Sequence, residues 1–491
     1  MAKRKMPRCM STQHPDNATT PFFSDSQVME GEDEVKEAFY VYSTLGCTEQ
    51  MWDSEGKEVD NYVVKKLLNN YGYYFAKNKL GKDLFLTVRV PNPGVEKTEG
   101  KILLEALEAI PRNFDAAGVF YGDEIAPIFE IILPMTTNTI SLERIKNYYE
   151  KFVVGKGKGR LSSGDITVEE WIGKFGPETI NVIPLVEDLG SMRNIKQIVG
   201  DYLKGKNMEY QRVFLARSDP ALNYGSAAAV LILKNALLQL QGVEEEESVE
   251  IHPILGAGTA PFRGNLRPDN VDSFLKAYPS LQTYTIQSAF KYDFEPRQVI
   301  EGISKLNSTK RAAPIAVDEK RSSEIAARIS SEYMKQLKVL APLINTTAKF
   351  IPSRRKRKLH VGLFGYSRQM SGGVKLPRAI RFCCSLYSIG IPPEMLGVNA
   401  LTEKDLDYVR AIYPGFDSDL RDSLKYLNRE NLEKFPTLAK KMGGVLKLVD
   451  YEVDREHARL SKHILRKVQE THPETIEEEI LEAAMLRKFL G

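Results

Sequence analysis

Ile180-Asn181-Val182-Ile183-Pro184-Leu185-Val186-Glu187 is a short apolar run, rich in β-branched residues, that ends on a carboxylate. A helical pattern from Met192 to Leu203 follows it. The next run, Val213 to Ala216, ends before Arg217-Ser218-Asp219 and leads into an alanine- and leucine-rich helix from Gly225 to Gln241. Working outward, Leu84 to Val90 precedes a helical stretch from Thr98 to Ile110, and Ile128 to Pro134 precedes Ser141 to Phe152. Further strand-like runs are Val249 to Leu255, Thr283 to Ser288 and Leu359 to Phe364. Strand–helix alternation of this kind predicts parallel strands joined by right-handed crossovers. With seven or eight units and no GxGxxG after the first strand, the expected fold is α/β, a closed (β/α)8 TIM-like barrel with additional C-terminal and peripheral helices. Residues 1–491 are expected to form a single catalytic domain. Beyond about residue 401 the chain turns helical and highly charged, as helices packed outside a barrel would.

Composition narrows the function classes. Of 491 residues 42% are hydrophobic and 27% charged, which is ordinary for a protein with ample core. A net charge of +3 gives no general attraction for nucleic acid or membrane. Cys9, Cys47, Cys383 and Cys384 show no CxxC spacing, so neither a disulfide framework nor a thiolate metal site is expected. The basic Met1–Arg8 stretch leads into polar residues instead of a signal-peptide core, and no apolar run looks long enough to span a bilayer. These features predict a cytoplasmic protein with no membrane partner.

Ionisable residues gather at the predicted strand ends, where β/α barrels carry their chemistry. Arg89 ends one run, Glu187 and Asp219 follow two successive runs, Gln287 ends another, and Arg368 follows Val361 to Ser367. Paired strand-end carboxylates suit a hard cation such as Mg2+, and arginines suit a phosphate- or carboxylate-bearing substrate. Gly256 to Asn265, with Arg263 inside it, reads as an anion-approaching loop and candidate lid. Ser371 to Ile380 reads as a glycine loop opening a helix beside Arg378. His14, in Ser11-Thr12-Gln13-His14-Pro15-Asp16-Asn17, cannot sit in a helix interior. In an extended N-terminal arm, its natural chemical role is proton transfer.

The motif around His14 resembles the N-terminal histidine motif of the phosphoenolpyruvate carboxylase family, in its compact archaeal type. Pro184-Leu185-Val186-Glu187 and Arg217 to Gly225 resemble that family's metal-carboxylate stretches. Tyr366-Ser367-Arg368 and Ser371 to Ile380 resemble its substrate-arginine segments, and Gln287 with Phe290-Lys291-Tyr292 has a counterpart. The matches run in family order from Ser11 to Gly397.

The resemblance implies Mg2+, with Mn2+ as an alternative ion, held by Glu187 and Asp219. It implies that His14, Arg263 and Arg368 act on the reactants while Arg89, Gln287, Arg368 and Arg378 hold substrate. It further implies phosphoenolpyruvate and bicarbonate as substrates, carboxyphosphate and pyruvate enolate as intermediates, and a homotetramer. The longer bacterial and plant form differs. It has two arginines in the glycine loop, a lysine where Leu222 stands, and a terminal inhibitor site of which only the final glycine, Gly491, is shared here.

Two alternatives from other classes stay open. One is another metal-dependent barrel enzyme acting on pyruvate enolate, such as a phosphotransferase, although no nucleotide motif is visible. The other is nucleic-acid binding through the basic run Ser353-Arg354-Arg355-Lys356-Arg357-Lys358. That run lacks interleaved aromatics and reads more simply as a solvated loop or rim charge.

Overall fold

Successive side chains of a strand face opposite ways, so residues two apart share the interior of a barrel. Eight strands of the computed structural model follow that rule in a closed, all-parallel barrel. They are β1 (Cys9–Ser11), β2 (Glu49–Asp53), β3 (Phe85–Arg89), β4 (Glu130–Leu133), β5 (Asn181–Val186), β6 (Tyr210–Ala216), β7 (Glu250–Gly256) and β8 (Thr283–Ile286). The structure describes residues 4–54, 60–97, 100–356, 368–369, 375–470 and 475–491, without the side chains of 368 and 369. Each strand pairs with the next in chain order, and β8 closes on β1 through Cys9–Tyr284, Met10–Thr285 and Ser11–Ile286.

Six of the predicted runs coincide with β3 to β8, although β6 begins three residues before its run and β7 ends one residue after its own. The first two strands were not expected. β1 (CMS) is only three residues long, and β2 (EQMWD) alternates Glu49, Met51 and Asp53 inward, so neither carries the apolar run of a buried strand. His14 therefore follows a barrel strand and does not lie on an arm. The run 359–364 lies outside the described residues, and the barrel is complete without it. Arg368 is not at a barrel strand end. It pairs antiparallel with Leu376 in a two-stranded sheet of β9 (Arg368–Gln369) and β10 (Lys375–Leu376).

Interior residues form layers. Met10, Met51, Ile132, Ile183, Leu185, Phe214, Ala216 and Ile254 make one apolar cluster inside the barrel. Below it, toward the strand N-termini, Arg212 donates to Glu49 at 2.6 and 2.7 Å and to Glu130 at 2.9 Å, with all three buried. Glu130 thus belongs to a salt-bridged plug at the closed end. Above the apolar cluster, steps of two from Thr87 and Leu185 lead to Arg89 and Glu187.

Outside the barrel, helix Ser226–Glu247 is long and apolar enough to cross a membrane, contrary to the sequence expectation that no segment would be. It is 78% buried inside the fold, against helix Glu319–Thr347 among others, and so reads as a core helix. Helices Glu403–Ile412, Phe416–Leu424, Arg429–Glu433, Pro436–Val445, Arg455–Glu470 and Ile476–Arg487 follow toward the C-terminal end. All four cysteines are buried and free, Cys383 and Cys384 within helix Ala379–Ser388.

A second buried network fastens the β8–β1 seam. Lys291 donates to Ser11 Oγ and the Thr12 carbonyl at 3.0 Å each and to Glu37 at 2.7 Å. Arg355 binds both oxygens of Glu37, at 2.6 and 2.8 Å, and reaches Glu34 at 3.2 Å. Burial alone would raise the Glu37 carboxyl, but the Arg355 and Lys291 charges override it and hold the group well below the ordinary carboxylate range.

Two stability predictions follow from these networks. Arg212→Ala strands two buried carboxylates and should cost roughly 3–5 kcal/mol, read as a lower urea midpoint; a change within about 1 kcal/mol would contradict the plug. Glu37 has a depressed folded pKa, so its stabilisation is complete above its unfolded value and is lost as pH falls through the folded one. Glu37→Gln should be less stable than the parent at pH 7, and the gap should narrow in acid below about pH 4. Melting temperatures of both proteins across pH measure the gap, and a pH-independent difference would count against the ion pair.

Candidate active site

The C-terminal ends of the strands open into a cavity of about 560 Å³. His14, Arg89, Glu187, Asp219, Arg263, Gln287 and Arg378 all line it. Every strand-end residue singled out from sequence is thereby brought together except Arg368, whose side chain lies outside the described residues.

The loop carrying His14 is rigidly held. The His14 carbonyl accepts from Asp16 N–H at 3.0 Å and Ser288 N–H at 3.3 Å. Asp16 is fully buried and accepts from Ala289 N–H at 2.8 Å and from Arg263 at 3.1 Å. Asp293, after the helix Ser288–Tyr292, accepts from Ala18 and Thr19 N–H at 2.6 and 2.8 Å. His14 Nδ1 is 2.9 Å from Thr12 Oγ1, which ties one ring nitrogen to its own loop.

Carboxylates and arginines alternate around the mouth. Glu187 directly follows β5, and its Oε2 accepts from Met135 N–H at 2.9 Å. Asp219 is the second residue of helix Ser218–Tyr224, which occupies what reads from sequence as a loop; Gly225, at φ 90°, makes the sharp break before the next helix. Arg89 is held by Asp53 at 2.6 and 2.9 Å, a bidentate pair that leaves it little net charge. Arg378 stands at the N-cap position of helix Ala379–Ser388, with Pro377 just before it.

Gly256 to Asn265 is not a lid. From Ala257 to Asn265 every residue is buried. Arg263 ties the segment to Asp16, Ser218, Gln287 and the Gly491 carbonyl. A side chain at Gly258 would meet the Arg263 guanidinium at 2.8 Å, so that glycine serves packing. The chain terminus is part of the same knot: Leu490 N–H donates to the Asp16 carbonyl at 2.6 Å, and Leu490 lines the cavity.

The basic run is not a solvated loop either. Arg354 and Arg355 are buried and line the cavity, Arg354 bonding the Ala18 carbonyl and Arg355 paired as above. Two of the run's cations are thus committed inside the fold; residues 357 and 358 lie outside the described ones.

Sequence inspection missed Asp53, Arg217, Arg354, Arg355 and Leu490. Asp53 could have been found as the partner that a strand-end arginine needs, had β2 been recognised. Arg217 directly follows β6, so the strand-end rule that found Asp219 could have found it too; Arg354, Arg355 and Leu490 reach the cavity through tertiary packing, which no local pattern signals.

Among the described residues no group of three or more His, Cys, Asp or Glu side chains gathers as a metal cluster. Two carboxylates after adjacent strands nonetheless fit a hard divalent ion, because Mg2+ commonly takes one or two protein carboxylates and completes its shell with water and substrate oxygen. Glu187 and Asp219 are the residues that would hold it.

A phosphoenolpyruvate carboxylase family model matches residues 6–491. The chain is 52% identical over 487 residues to phosphoenolpyruvate carboxylase of Methanothermobacter thermautotrophicus, covering 99% of this chain and all of that one. It is 49% identical to that of Pyrococcus abyssi over 99% of this chain and all of that one, and 46% identical to that of Halobacterium salinarum over 99% of both. With a barrel whose open end collects a histidine, two carboxylates and several arginines, and with likeness over nearly its whole length, the chain belongs to the phosphoenolpyruvate carboxylase family.

Proposed function

We infer that this chain catalyses carboxylation of phosphoenolpyruvate by bicarbonate, giving oxaloacetate and phosphate. The observation that carries the assignment of residues is their convergence on one strand-end cavity. Both substrates are anions, so their meeting needs cationic surroundings. In our reading Arg378 and Arg368 hold phosphoenolpyruvate. Arg263 and Gln287, locked to each other, shape the floor, and Arg89 keeps a bidentate partner that orients it toward the cavity. A divalent ion, Mg2+ or Mn2+, held by Glu187 and Asp219 would supply Lewis-acid charge against the substrate's carboxylate and enol oxygens.

Bicarbonate oxygen attacks phosphorus, the phosphorus–enol oxygen bond breaks, and carboxyphosphate and the enolate result. His14 Nε2 then takes the carboxyphosphate proton as that intermediate splits into CO2 and phosphate, and the enolate carbon captures CO2. Thr12 at Nδ1 keeps the imidazole turned for this exchange. Burial of the loop around His14 limits water, whose proton would convert the enolate to pyruvate. We also propose that residues 1–491 work as one catalytic unit, that the protein is a cytoplasmic homotetramer, and that its partners are small anions and not nucleic acid or membrane.

An assay with phosphoenolpyruvate, bicarbonate and Mg2+ tests the activity: oxaloacetate and phosphate should appear in equal amounts and only with all three, and a requirement for nucleotide would instead indicate a phosphotransferase. Glu187→Gln and Asp219→Asn, nearly isosteric, should fold normally but need far more divalent ion; unchanged dependence would mean the site is misplaced. His14→Asn should still release phosphate in the presence of bicarbonate but lose oxaloacetate formation by about 10²–10⁴-fold, with pyruvate accumulating. Parallel loss of phosphate release would make His14 a binding residue.

A further inference from the structure

The peptide joining Pro134 and Met135 is gripped from both sides. Its N–H, on Met135, donates to Glu187 Oε2 at 2.9 Å. Its carbonyl, on Pro134, accepts from Asn92 Nδ2 at 2.8 Å. Because a trans peptide is planar, its N–H and C=O point in opposite directions as one rigid plate. Whatever sets the carbonyl sets the N–H. The Asn92 amide also reaches the Met135 carbonyl at 3.2 Å, bracketing the residue, and its orientation is fixed because Oδ1 accepts from Gly94 N–H at 2.9 Å.

Met135 needs this clamp. Its φ is 50°, in the left-handed region that side-chain-bearing residues avoid, and Pro134 before it has no N–H to help hold the turn. Such strain persists only where the surroundings over-determine it. Next to it, Thr136 N–H donates to the Leu185 carbonyl at 2.9 Å and Thr136 Oγ1 to the Leu133 carbonyl at 2.8 Å, so the strained residue is anchored on its far side as well. Asn92 is buried, lies in the loop after β3, and lines no part of the cavity.

We propose that Asn92 is a positioning residue for the Glu187 carboxylate, acting through the Pro134–Met135 peptide to aim that carboxylate at a divalent cation. The loops after β3 and β4 thereby serve the ligand that follows β5. The amide donor on the carbonyl polarises the peptide and strengthens its N–H toward Glu187. The bond from Met135 N–H ties the carboxylate to the loop after β4 at the wall of the cavity that it lines. This rests on Glu187 being a metal carboxylate.

Mn2+ binding to metal-stripped enzyme, read from the electron-paramagnetic-resonance signal of free Mn2+ without substrate, is the test. Asn92→Ala should weaken Mn2+ binding by about tenfold, measured at a temperature where the circular-dichroism melt shows the variant still fully folded. Asn92→Ser, whose hydroxyl can still accept from Gly94 N–H but cannot reach the carbonyls, should do the same and serves if the alanine variant folds poorly. Met135→Gly keeps the N–H and tolerates φ 50°, so it should bind Mn2+ within about twofold of the parent. If Glu187→Gln loses Mn2+ affinity while both Asn92 variants keep it, the positioning role is wrong and the metal assignment stands. If Glu187→Gln binds Mn2+ like the parent, the metal assignment itself fails and the proposal with it.

Discussion

Closing an eight-stranded barrel on a first strand of three residues is the constraint from which much of this molecule follows. Ladder hydrogen bonds along Cys9–Ser11 are few, and the seam is completed by the Lys291 ammonium, shared among Ser11, the Thr12 carbonyl and Glu37. Such a cation has no water to fall back on, so its partners must hold their positions. Arg355, from a segment more than 300 residues later, locks Glu37 in turn. The seam is also where the histidine loop leaves the barrel. The network that closes the fold is thus the one that fixes the geometry around His14.

The alternation of side chains carries this logic up the barrel. A salt-bridged plug of Arg212, Glu49 and Glu130 lies at one end, an apolar layer in the middle, and the charged mouth at the other. At the mouth, charges are largely prepared before substrate arrives. Arg89 rests on Asp53, and Arg263 on Asp16, Gln287 and the chain terminus. Pre-set dipoles and charges need little reorganisation during a reaction that develops and moves negative charge. The Pro134–Met135 peptide extends the same economy to a backbone N–H.

The barrel was legible from six apolar runs because parallel strands buried on both faces carry a dense β-branched signal. β1 escaped because it is three residues long, and β2 because two of its inward residues, Glu49 and Asp53, serve the plug and the mouth and leave only Met51 for the apolar layer. Glu187, Asp219, Gln287 and Arg89 could be placed from strand-end position alone, whereas His14 was read onto an arm because the strand before it was not recognised. The role of the 256–265 segment could not: its glycines suggested mobility, whereas the structure uses them to let Arg263 pack tightly. The basic run at 353–358 misled for a related reason. Charge written along a sequence does not say whether its partners lie in solvent or, like Glu34 and Glu37, more than 300 residues away. The Leu490 and Gly491 contacts are likewise tertiary and leave no local trace.

The central claim is that one strand-end cavity holds the metal, the substrate and the histidine together. The most direct measurement is an anomalous-scattering map of crystals grown with Mn2+ and an unreactive phosphoenolpyruvate analogue. The account predicts a single strong manganese peak between Glu187 and Asp219, with the analogue's phosphate on the Arg378 side of the same cavity. A manganese peak at any other carboxylates, or an analogue bound outside the barrel mouth, would contradict it.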